Sequence, residues 1–220
     1  MRLPGLRPWS DDPLWASVYD WSVEHPIAGG ALWRVGIHSD LRRLHDAAGE
    51  LSLLPAGTRV LDVPCGGGVA LRGVTVGQGL DYVAADIAPA MLERTMDSAR
   101  RRGLEDQVEP RLADVGDLPF DDASFDRVVS FTGLHCFPDP ARAVVEMVRV
   151  LRPGGVLTGS AVLNDTGIVH EPLRRVGRLA GLIGPSCTGP ELLGWLRAEG
   201  VRDPVLELSG AIGYFRGVKG

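Results

Sequence analysis

The sequence predicts one α/β domain in which a mostly parallel sheet carries helices on both faces. Apolar runs with strand character alternate with helical patterns along residues 59–199, and this alternation is typical of parallel sheets. The first apolar run reaches a carboxylate at Asp62 and is followed directly by a glycine-rich turn at 66–68. The last two predicted strands, about 205–209 and 211–218, are too close in sequence for a parallel crossover, so we expect them to pair antiparallel.

The individual elements follow from local patterns. Residues 1–13 are Pro-rich and polar and predict no fixed element, whereas 14–54 have apolar residues at helical spacing, namely Leu32, Val35, Leu41, Leu44, Ala48 and Leu51. Strands are predicted at 59–63, 82–86, 108–112, 127–131 and 156–163, with a weak, glycine-interrupted helix after the first. Further helices are predicted from Pro89 to a stop at Gly103, at 141–151, at 172–183 and at 191–199, the last with a capping box of Thr188 and Glu191. We therefore expect a helical cap over 1–54 and a core over 55–220, within one structural domain.

Size, charge and cysteine content restrict the possible functions. The 220 residues are enough for one domain with a substantial core. The formal net charge of −5 and the pI near 5.5 argue against nucleic acid or a membrane surface as the main partner. Three widely spaced cysteines without a CxxC pair favour neither a zinc site nor a disulfide framework, so no metal is expected. Without a signal peptide or a spanning segment, the sequence predicts a cytoplasmic protein, and its arginine-rich basic content indicates a bacterial source.

Two aspartates close neighbouring predicted strands, where ligands bind in open α/β sheets. Asp62 can hold an ammonium group directly or through water, or it can cap its own glycine turn. Asp86 can accept hydrogen bonds from both ribose hydroxyls, or it can be a solvated loop residue. The glycines at 66–68 allow a ligand to lie against the backbone. Together these features predict a nucleoside-containing ligand.

The glycine spacing separates two kinds of nucleoside cofactor. Dinucleotide-binding loops carry G-x-G-x-x-G/A, but Leu71 occupies the third glycine position, and the loop has no basic residue to meet a pyrophosphate until Arg72. An NAD(P)-dependent oxidoreductase is therefore disfavoured. After the third strand, Asp114 can accept from an exocyclic amine and the N–H of Val115 can donate to a ring nitrogen. Asp114 can equally be an ordinary member of the acidic stretch 114–122.

Six motifs, in this order along the chain, resemble the class I S-adenosylmethionine-dependent methyltransferases. They are residues 60–68, 85–92, 113–120, 124–126, 133–140 and 150–155. The resemblance is to the small-molecule group that includes the ubiquinone/menaquinone-biosynthesis methyltransferases. It implies a Rossmann-like, seven-stranded sheet of order 3-2-1-4-5-7-6 with strand 7 antiparallel. It also implies S-adenosylmethionine as cofactor and methyl transfer to a small molecule.

The resemblance also implies which residues bind the cofactor. Those around the methionine part are Asp62, Cys65, Gly66, Gly68 and the backbone of Ser130 and Phe131. Those around the nucleoside are Asp86 at the ribose, Ile87 and Met91 beside the adenine, and Asp114 and Val115 at the edge of the base. Two positions depart from the family pattern: Pro64 replaces the usual glycine and removes one N–H, and Ala88 replaces a serine that commonly caps the next helix.

The acceptor is less well defined by the sequence. His135, after the fourth strand, is the candidate catalytic base, although it can instead stabilise its loop; His25, His38 and Tyr19 are weaker candidates. Four of the five tryptophans precede the first strand, and Trp15, Tyr19 and Trp33 can line an acceptor pocket or merely anchor helices to the sheet.

We expect a small, largely apolar or aromatic acceptor methylated on O, C or N, with the segment 14–37 acting as a lid. A non-catalytic regulatory or structural protein that binds S-adenosylmethionine is the alternative. The sequence leaves the oligomeric state open.

Overall fold

The computed structural model describes residues 21–23 and 25–220, in which seven strands form one sheet of order β3-β2-β1-β4-β5-β7-β6. The strands are β1 Arg59–Asp62, β2 Asp81–Asp86, β3 Val108–Leu112, β4 Phe125–Phe131, β5 Leu151–Val162, β6 Val201–Ser209 and β7 Ile212–Lys219. The strand pairs β3–β2, β2–β1, β1–β4 and β4–β5 are parallel. Strand β7 runs antiparallel to both β5 and β6. The predicted fold class, strand order and antiparallel strand 7 are confirmed.

Six α-helices are described in this part of the chain. They are α1 Pro26–Gly36, α2 Leu41–Gly49, α3 Pro89–Arg102, α4 Pro140–Val150, α5 Glu171–Ala180 and α6 Gly189–Ala198. Short 3₁₀ helices lie at Glu50–Leu53, Val69–Gly73, Glu105–Gln107, Leu134–Cys136 and Ile168–His170, and residues 21–23 are also helical. The predicted capping box of Thr188 and Glu191 opens α6.

The segment between β1 and β2 differs from the predicted helix. It contains only the 3₁₀ helix Val69–Gly73. A Cβ at Gly73 would lie 1.7 Å from the carbonyl oxygen of Ala48, so the backbone here contacts α2 directly. Glycine lets the chain pass this close to α2 because it has no side chain. For the same reason these glycines give an α-helix too few side chains to pack, and only a short 3₁₀ helix forms.

The predicted helical pattern of residues 14–54 is interrupted at 37–40. His38 adopts a left-handed backbone with φ +52°, and Asp40 then caps α2 by accepting from the N–H of Arg42 at 3.0 Å. Because this break rotates α1 relative to α2, the apolar positions of the two helices do not form one stripe. Leu41 and Leu44 of α2 are buried, whereas Leu32 and Val35 of α1 are exposed.

Two apolar clusters cover the faces of the sheet. Adjacent residues Val128 and Val129 of β4 point to opposite faces and belong to different clusters, as expected for a strand buried on both sides. Helices α4 and α6 cover one face, and α2 with the 3₁₀ helix Val69–Gly73 covers the other. The carboxyl ends of β1, β2, β4 and β5 consequently lie along one edge of the sheet.

Candidate functional site

The loop after β1 begins the site at this edge. Gly66 and Gly68 have φ of +52° and +82°, a conformation that favours glycine. The N–H of Gly68 donates to the carbonyl of Cys65 at 2.9 Å, and the N–H of Cys65 donates to Ala85 of β2 at 2.9 Å. A Cβ built at Gly66 meets no described atom within 4 Å. The loop is thus tied to β2 while Gly66 borders open space.

Thr95 of α3 holds the same loop from below. Its hydroxyl lies 2.7 Å from the carbonyl oxygen of Gly66 and 3.3 Å from the sulfur of Cys65. The Cys65 thiol is buried in the core, and burial raises its pKa well above the usual range. A cofactor contact from Cys65 would therefore involve its backbone. Thr95 was not predicted from the sequence as a site residue. The sequence feature that could have identified it is a polar residue on the buried face of α3, four positions after Met91.

Asp86 closes β2 directly beneath the glycine loop. Its two carboxylate oxygens accept from the N–H groups of Gly66 at 3.1 Å and Ala88 at 3.0 Å. Burial raises the pKa of Asp86 despite these donors. A carboxylate oxygen has two lone pairs, so each oxygen of Asp86 can accept a hydrogen bond in addition to the one from the backbone. The carboxylate is thus fixed in orientation and remains able to accept from hydroxyl groups.

Asp62 is the more deeply buried carboxylate, with 1% of its surface exposed. Its Oδ2 accepts from the hydroxyl of Tyr82 at 2.8 Å. Burial, together with the negative charge of Asp86, raises the pKa of Asp62 to about 7, and the Tyr82 hydrogen bond opposes this rise only in part. A buried carboxylate whose hydrogen-bond partner among the described residues is a neutral hydroxyl has an incompletely compensated charge, and a cation would compensate it. Tyr82 had appeared in the sequence only as the start of a strand.

The exposed end of the site lies after β2 and β3. Ile87 is 65% exposed, while Met91 is buried against Ala88. Asp114 is exposed, and its Oδ1 accepts from the N–H of Gly116 at 2.8 Å, so it does cap its own turn. Val115 beside it is buried in the core. These four residues follow β2 and β3 and face the same edge as the glycine loop.

The end of β4 contributes a buried polar atom. Ser130 is fully buried, and its hydroxyl has no hydrogen-bond partner within the described ranges. Phe131 next to it is buried, and Thr132 has φ +52° with its N–H donating to the hydroxyl of Ser160 at 3.0 Å. Left-handed non-glycine residues of this kind cluster at ligand sites.

His135 lies in the 3₁₀ turn Leu134–Cys136 and is buried. Its Nδ1 is 3.3 Å from the N–H of Val162, and since a backbone N–H can only donate, Nδ1 is the acceptor. Burial lowers the pKa of His135 to about 4. The ring therefore ties the exit of β4 to the end of β5 and is a weak base at neutral pH, which favours the loop-stabilising alternative. Its catalytic role stays a prediction.

The aromatic residues of the N-terminal segment fall into two groups. Trp33 is 5% exposed, packs in the cluster that includes Leu44, and donates from its indole N–H to Ser22 at 3.2 Å. Trp15 and Tyr19 lie outside the described residues. For Trp33 the structure favours the anchoring alternative, because its ring is part of the core between α1 and the sheet.

The two departures from the family pattern have structural counterparts. Pro64, after a cis peptide bond, packs on Gly133, where a Cβ would lie 2.1 Å from Cδ of the proline. Pro64 thus lacks the N–H that a glycine would have, but its ring makes a direct contact between the loops after β1 and β4. Ala88 starts α3 without a side-chain cap, as expected.

Comparison with known proteins agrees with this geometry. Residues 61–158 match the family model described as a methyltransferase domain. The 27-O-demethylrifamycin SV methyltransferase of Amycolatopsis mediterranei is 36% identical over 130 residues, which cover 59% of this chain and 46% of the relative. The demethylmenaquinone methyltransferase of Clavibacter sepedonicus is 42% identical over 129 residues, covering 59% and 46%. The chain spans about half the length of these curated relatives.

A solved structure shares the fold. The phosphoethanolamine N-methyltransferase 2 of Haemonchus contortus, solved with S-adenosylhomocysteine, superimposes with a TM-score of 0.69 at 14% identity, covering 89% of this chain and 58% of that one. At this identity the likeness concerns the fold alone. Because the motifs, the strand order and the family match agree, residues 61–158 form a methyltransferase domain, in a sheet of the order expected for class I S-adenosylmethionine-dependent methyltransferases.

Proposed function

We propose that this protein transfers a methyl group from S-adenosylmethionine to a small metabolite with an apolar or aromatic body. The observation that carries the proposal is the pair of buried carboxylates, Asp62 and Asp86, on either side of the loop 66–68. The charge of Asp62 is incompletely compensated, so this carboxylate fits an ammonium group. The other is oriented by backbone donors and fits a diol. S-adenosylmethionine carries both groups.

The remaining cofactor contacts are assigned by position along the edge. Asp62 binds the amino group of the methionine part, and the backbone of Gly66, Gly68, Ser130 and Phe131 encloses that part. Cys65 contributes through its backbone only. Asp86 accepts from the ribose hydroxyls, Ile87 and Met91 contact the adenine, and Asp114 and Val115 bind the edge of the base. The exposure of Ile87 supports its role, since an apolar side chain at a ligand-facing edge gains buried area when the ligand binds.

The chain's own contribution to catalysis is positioning. Bound S-adenosylmethionine supplies an electrophilic methyl group on a sulfonium. The residues around it hold that group and the acceptor in line, which can account for much of the rate. His135 acts on the acceptor side by fixing the loop 133–137 against β5, and it is retained as a candidate base of low basicity.

The acceptor class rests on two further observations. Two relatives are named as methyltransferases of small molecules, 27-O-demethylrifamycin SV and demethylmenaquinone. The acidic net charge is unfavourable for a nucleic acid or a membrane as partner, and no described helix is long and apolar enough to span a bilayer. We infer a small-molecule acceptor, a lid formed with Trp15 and Tyr19, to which Trp33 contributes only as a core anchor, and a cytoplasmic, bacterial setting.

Calorimetry tests the cofactor assignment. We expect micromolar binding of S-adenosylhomocysteine and no comparable binding of NAD. The variant Asp86→Ala removes charge-assisted hydrogen bonds worth about 1.5 to 3 kcal/mol each, so its affinity should fall roughly tenfold or more. Asp81→Ala, an exposed aspartate at the opposite end of the same strand, is the control. Preference for NAD, or an unchanged affinity of Asp86→Ala, contradicts the assignment.

Turnover must be measured separately, because the same fold supports different chemistry. Formation of S-adenosylhomocysteine from S-adenosylmethionine with a panel of hydroxylated aromatic acceptors distinguishes an enzyme from a protein that only binds the cofactor. Binding without turnover of any acceptor would favour the regulatory alternative.

A further inference from the structure

Two histidines far apart in sequence meet at the carboxyl edge of the sheet. Nδ1 of His38, between α1 and α2, lies 3.2 Å from Nε2 of His170, at the end of the 3₁₀ helix Ile168–His170. Nδ1 of His170 lies 2.9 Å from the carbonyl oxygen of Thr166. His170 is buried, with 6% of its surface exposed, and His38 is exposed. The pair thus runs from the carbonyl of the half-buried Thr166 to an exposed imidazole.

The contacts determine where the protons lie when both rings are neutral. A carbonyl oxygen only accepts, so Nδ1 of His170 carries the hydrogen and its Nε2 is an acceptor. Nδ1 of His38 must then donate to that Nε2. It follows that Nε2 of His38 carries a free lone pair, and no described group is hydrogen-bonded to it. One added proton at this nitrogen leaves both hydrogen bonds of the pair intact.

The loop carrying His170 is held by a buried arginine. The guanidinium of Arg174 donates to the carbonyls of Leu163 at 3.3 Å and Gly167 at 3.1 Å, and to the hydroxyl of Thr166 at 3.1 Å. It also pairs with Glu171 at 3.0 Å. These bonds fix the loop 163–171, including the carbonyl group of Thr166 that orients His170.

The backbone of His38 is held in place by contacts with the turn between β6 and β7. Its φ of +52° is an uncommon backbone conformation for a non-glycine residue. The carbonyl of Ile37 accepts from the N–H of Ala211 at 2.9 Å, and a Cβ at Gly210 would lie 2.3 Å from the carbonyl oxygen of His38. The turn between β6 and β7 therefore locks the backbone that presents the ring. Strain of this kind is characteristic of functional positions.

The pair lies on the same edge as the cofactor site. The turn between β6 and β7 stands beside the end of β5, where the N–H of Leu163 donates to the carbonyl of Ala211 at 3.1 Å. Strands β4, β5 and β7 are neighbours in the sheet. Two strand spacings, roughly 10 Å, therefore separate the end of β4 from the start of β7. The side chain of His38 covers part of this distance, which leaves room for one acceptor hydroxyl between Nε2 and a methyl group held beyond the end of β4.

We propose, on the basis of the methyltransferase function proposed above, that Nε2 of His38 takes the proton from a hydroxyl group on an aromatic acceptor and that His170 positions it. As the acceptor oxygen forms its bond to the methyl carbon, the bond between that carbon and the sulfonium sulfur breaks and its electrons stay on sulfur. The O–H electrons remain on oxygen and the proton passes to His38. A phenolic hydroxyl, with a pKa near 10, is an acceptor class for which such a base is needed.

Nitrogen-15 NMR of the imidazole rings tests the pair in the protein saturated with S-adenosylhomocysteine. Both His38 and His170 should be in the neutral Nδ1–H form, and addition of 2-naphthol should shift the Nε2 signal of His38. In His38→Asn, which keeps a residue tolerant of the left-handed backbone, 2-naphthol should no longer affect the ring signals of His170. An Nε2–H form of His38, or no response to 2-naphthol up to its solubility limit, overturns the proposal.

Turnover of 2-naphthol separates the two roles. His38→Asn should lower it about 100-fold or more, while the Kd of S-adenosylhomocysteine stays within twofold. His170→Phe should lower turnover and convert His38 to the Nε2–H form, whereas His170→Gln, whose amide oxygen can accept from His38, should restore part of both. Equal turnover in wild type and His38→Asn overturns the proposal. Failure of the wild type to bind S-adenosylhomocysteine instead contradicts the proposed function, and the imidazole tautomers measured by NMR in the unliganded protein still decide the geometry of the pair.

Discussion

Asp62 and Asp86 are two buried carboxylates, 24 positions apart, whose different partners give them different properties. Backbone N–H groups fix Asp86, and these donors favour its ionised form. Asp62 has the hydroxyl of Tyr82, and burial raises its pKa to about 7. Since the ligand group expected at Asp62 is a cation, its binding requires the ionised carboxylate. Ligand affinity and the protonation of Asp62 are therefore coupled.

This coupling predicts a pH-dependent affinity for S-adenosylhomocysteine. Above pH 7 Asp62 is ionised and the affinity should be constant; as the pH falls below 7 the affinity should decrease by up to about tenfold per unit, with release of one proton on binding. Tyr82→Phe removes the donor that favours ionisation, so the decrease should begin at a higher pH. Calorimetry between pH 6 and 9, in buffers of different ionisation enthalpy, measures both effects. An Asp62→Asn variant should bind weakly at every pH, and persistence of the same pH dependence in it would assign the titration to another group.

At the scale of elements, the site depends on loops that contact each other across the sheet edge. The ring of Pro64 after β1 fills the space beside Gly133 after β4. Thr95 of α3 ties the glycine loop to a helix, and His135 ties the β4 exit to β5. Each contact joins the end of one strand to a different element. The spacing between strand ends, and hence the width of the ligand site, is set by these contacts.

The contact between the two loops predicts the effect of adding one methyl group. Gly133→Ala would place a Cβ 2.1 Å from Cδ of Pro64, which forces the loops apart. We expect a loss of stability of about 1 to 3 kcal/mol and weaker binding of S-adenosylhomocysteine. Thermal unfolding and calorimetry measure these effects. The control is Gly194→Ala in α6, where a Cβ meets no described atom within 4 Å and no loss is expected. Pro64→Gly combined with Gly133→Ala should recover part of the stability, and a fully stable single variant would contradict the contact.

At the scale of the whole molecule, the N-terminal segment is joined to the core through its second half. Trp33 belongs to the cluster that also contains Val60 of β1 and Val129 of β4, and the carbonyl of Ile37 accepts from the turn before β7. The segment 14–37 was expected to move as a lid and to be removable without loss of cofactor binding. Because Trp33 is buried, a deletion up to residue 37 would also remove part of the core, so that deletion cannot test the lid by itself.

Deletion of residues 1–20 is therefore the better test of a lid. This variant retains Trp33 and His38, so S-adenosylhomocysteine should bind within about threefold of wild type, an interaction that we place on strands β1, β2 and β4. Turnover of an aromatic acceptor should be lost if the removed segment closes the site against water. Trp33→Ala, by contrast, should lower the stability by about 3 to 5 kcal/mol. A truncated protein with normal turnover would show that residues 1–20 are not needed for transfer.

The sequence by itself determined the order of the elements, the fold class and the positions of Asp62 and Asp86 at strand ends. These depend on local periodicity, on glycine and on adjacent residues, all of which are visible along the chain. Even the antiparallel pairing of the last two strands followed from the length of their connection. The bounds of β5 and the broken pattern of 14–54 were wrong in detail. A register shift in the β4–β5 pairing, with the extra residues on β5, allows β5 to start at Leu151, and the left-handed residue at His38 is set by the β6–β7 turn.

Only the tertiary structure decided which side chains meet. Tyr82 reaches Asp62 because the register pairs Tyr82 with Val60, two residues before the carboxylate and on the same face. His38 and His170 are 132 positions apart and meet only because both flank the end of β5 beside β7. Such contacts depend on strand register and on the direction of a few loop residues, and neither is encoded by periodicity. The proposed chemistry of the acceptor side therefore depends on the packing of distant segments.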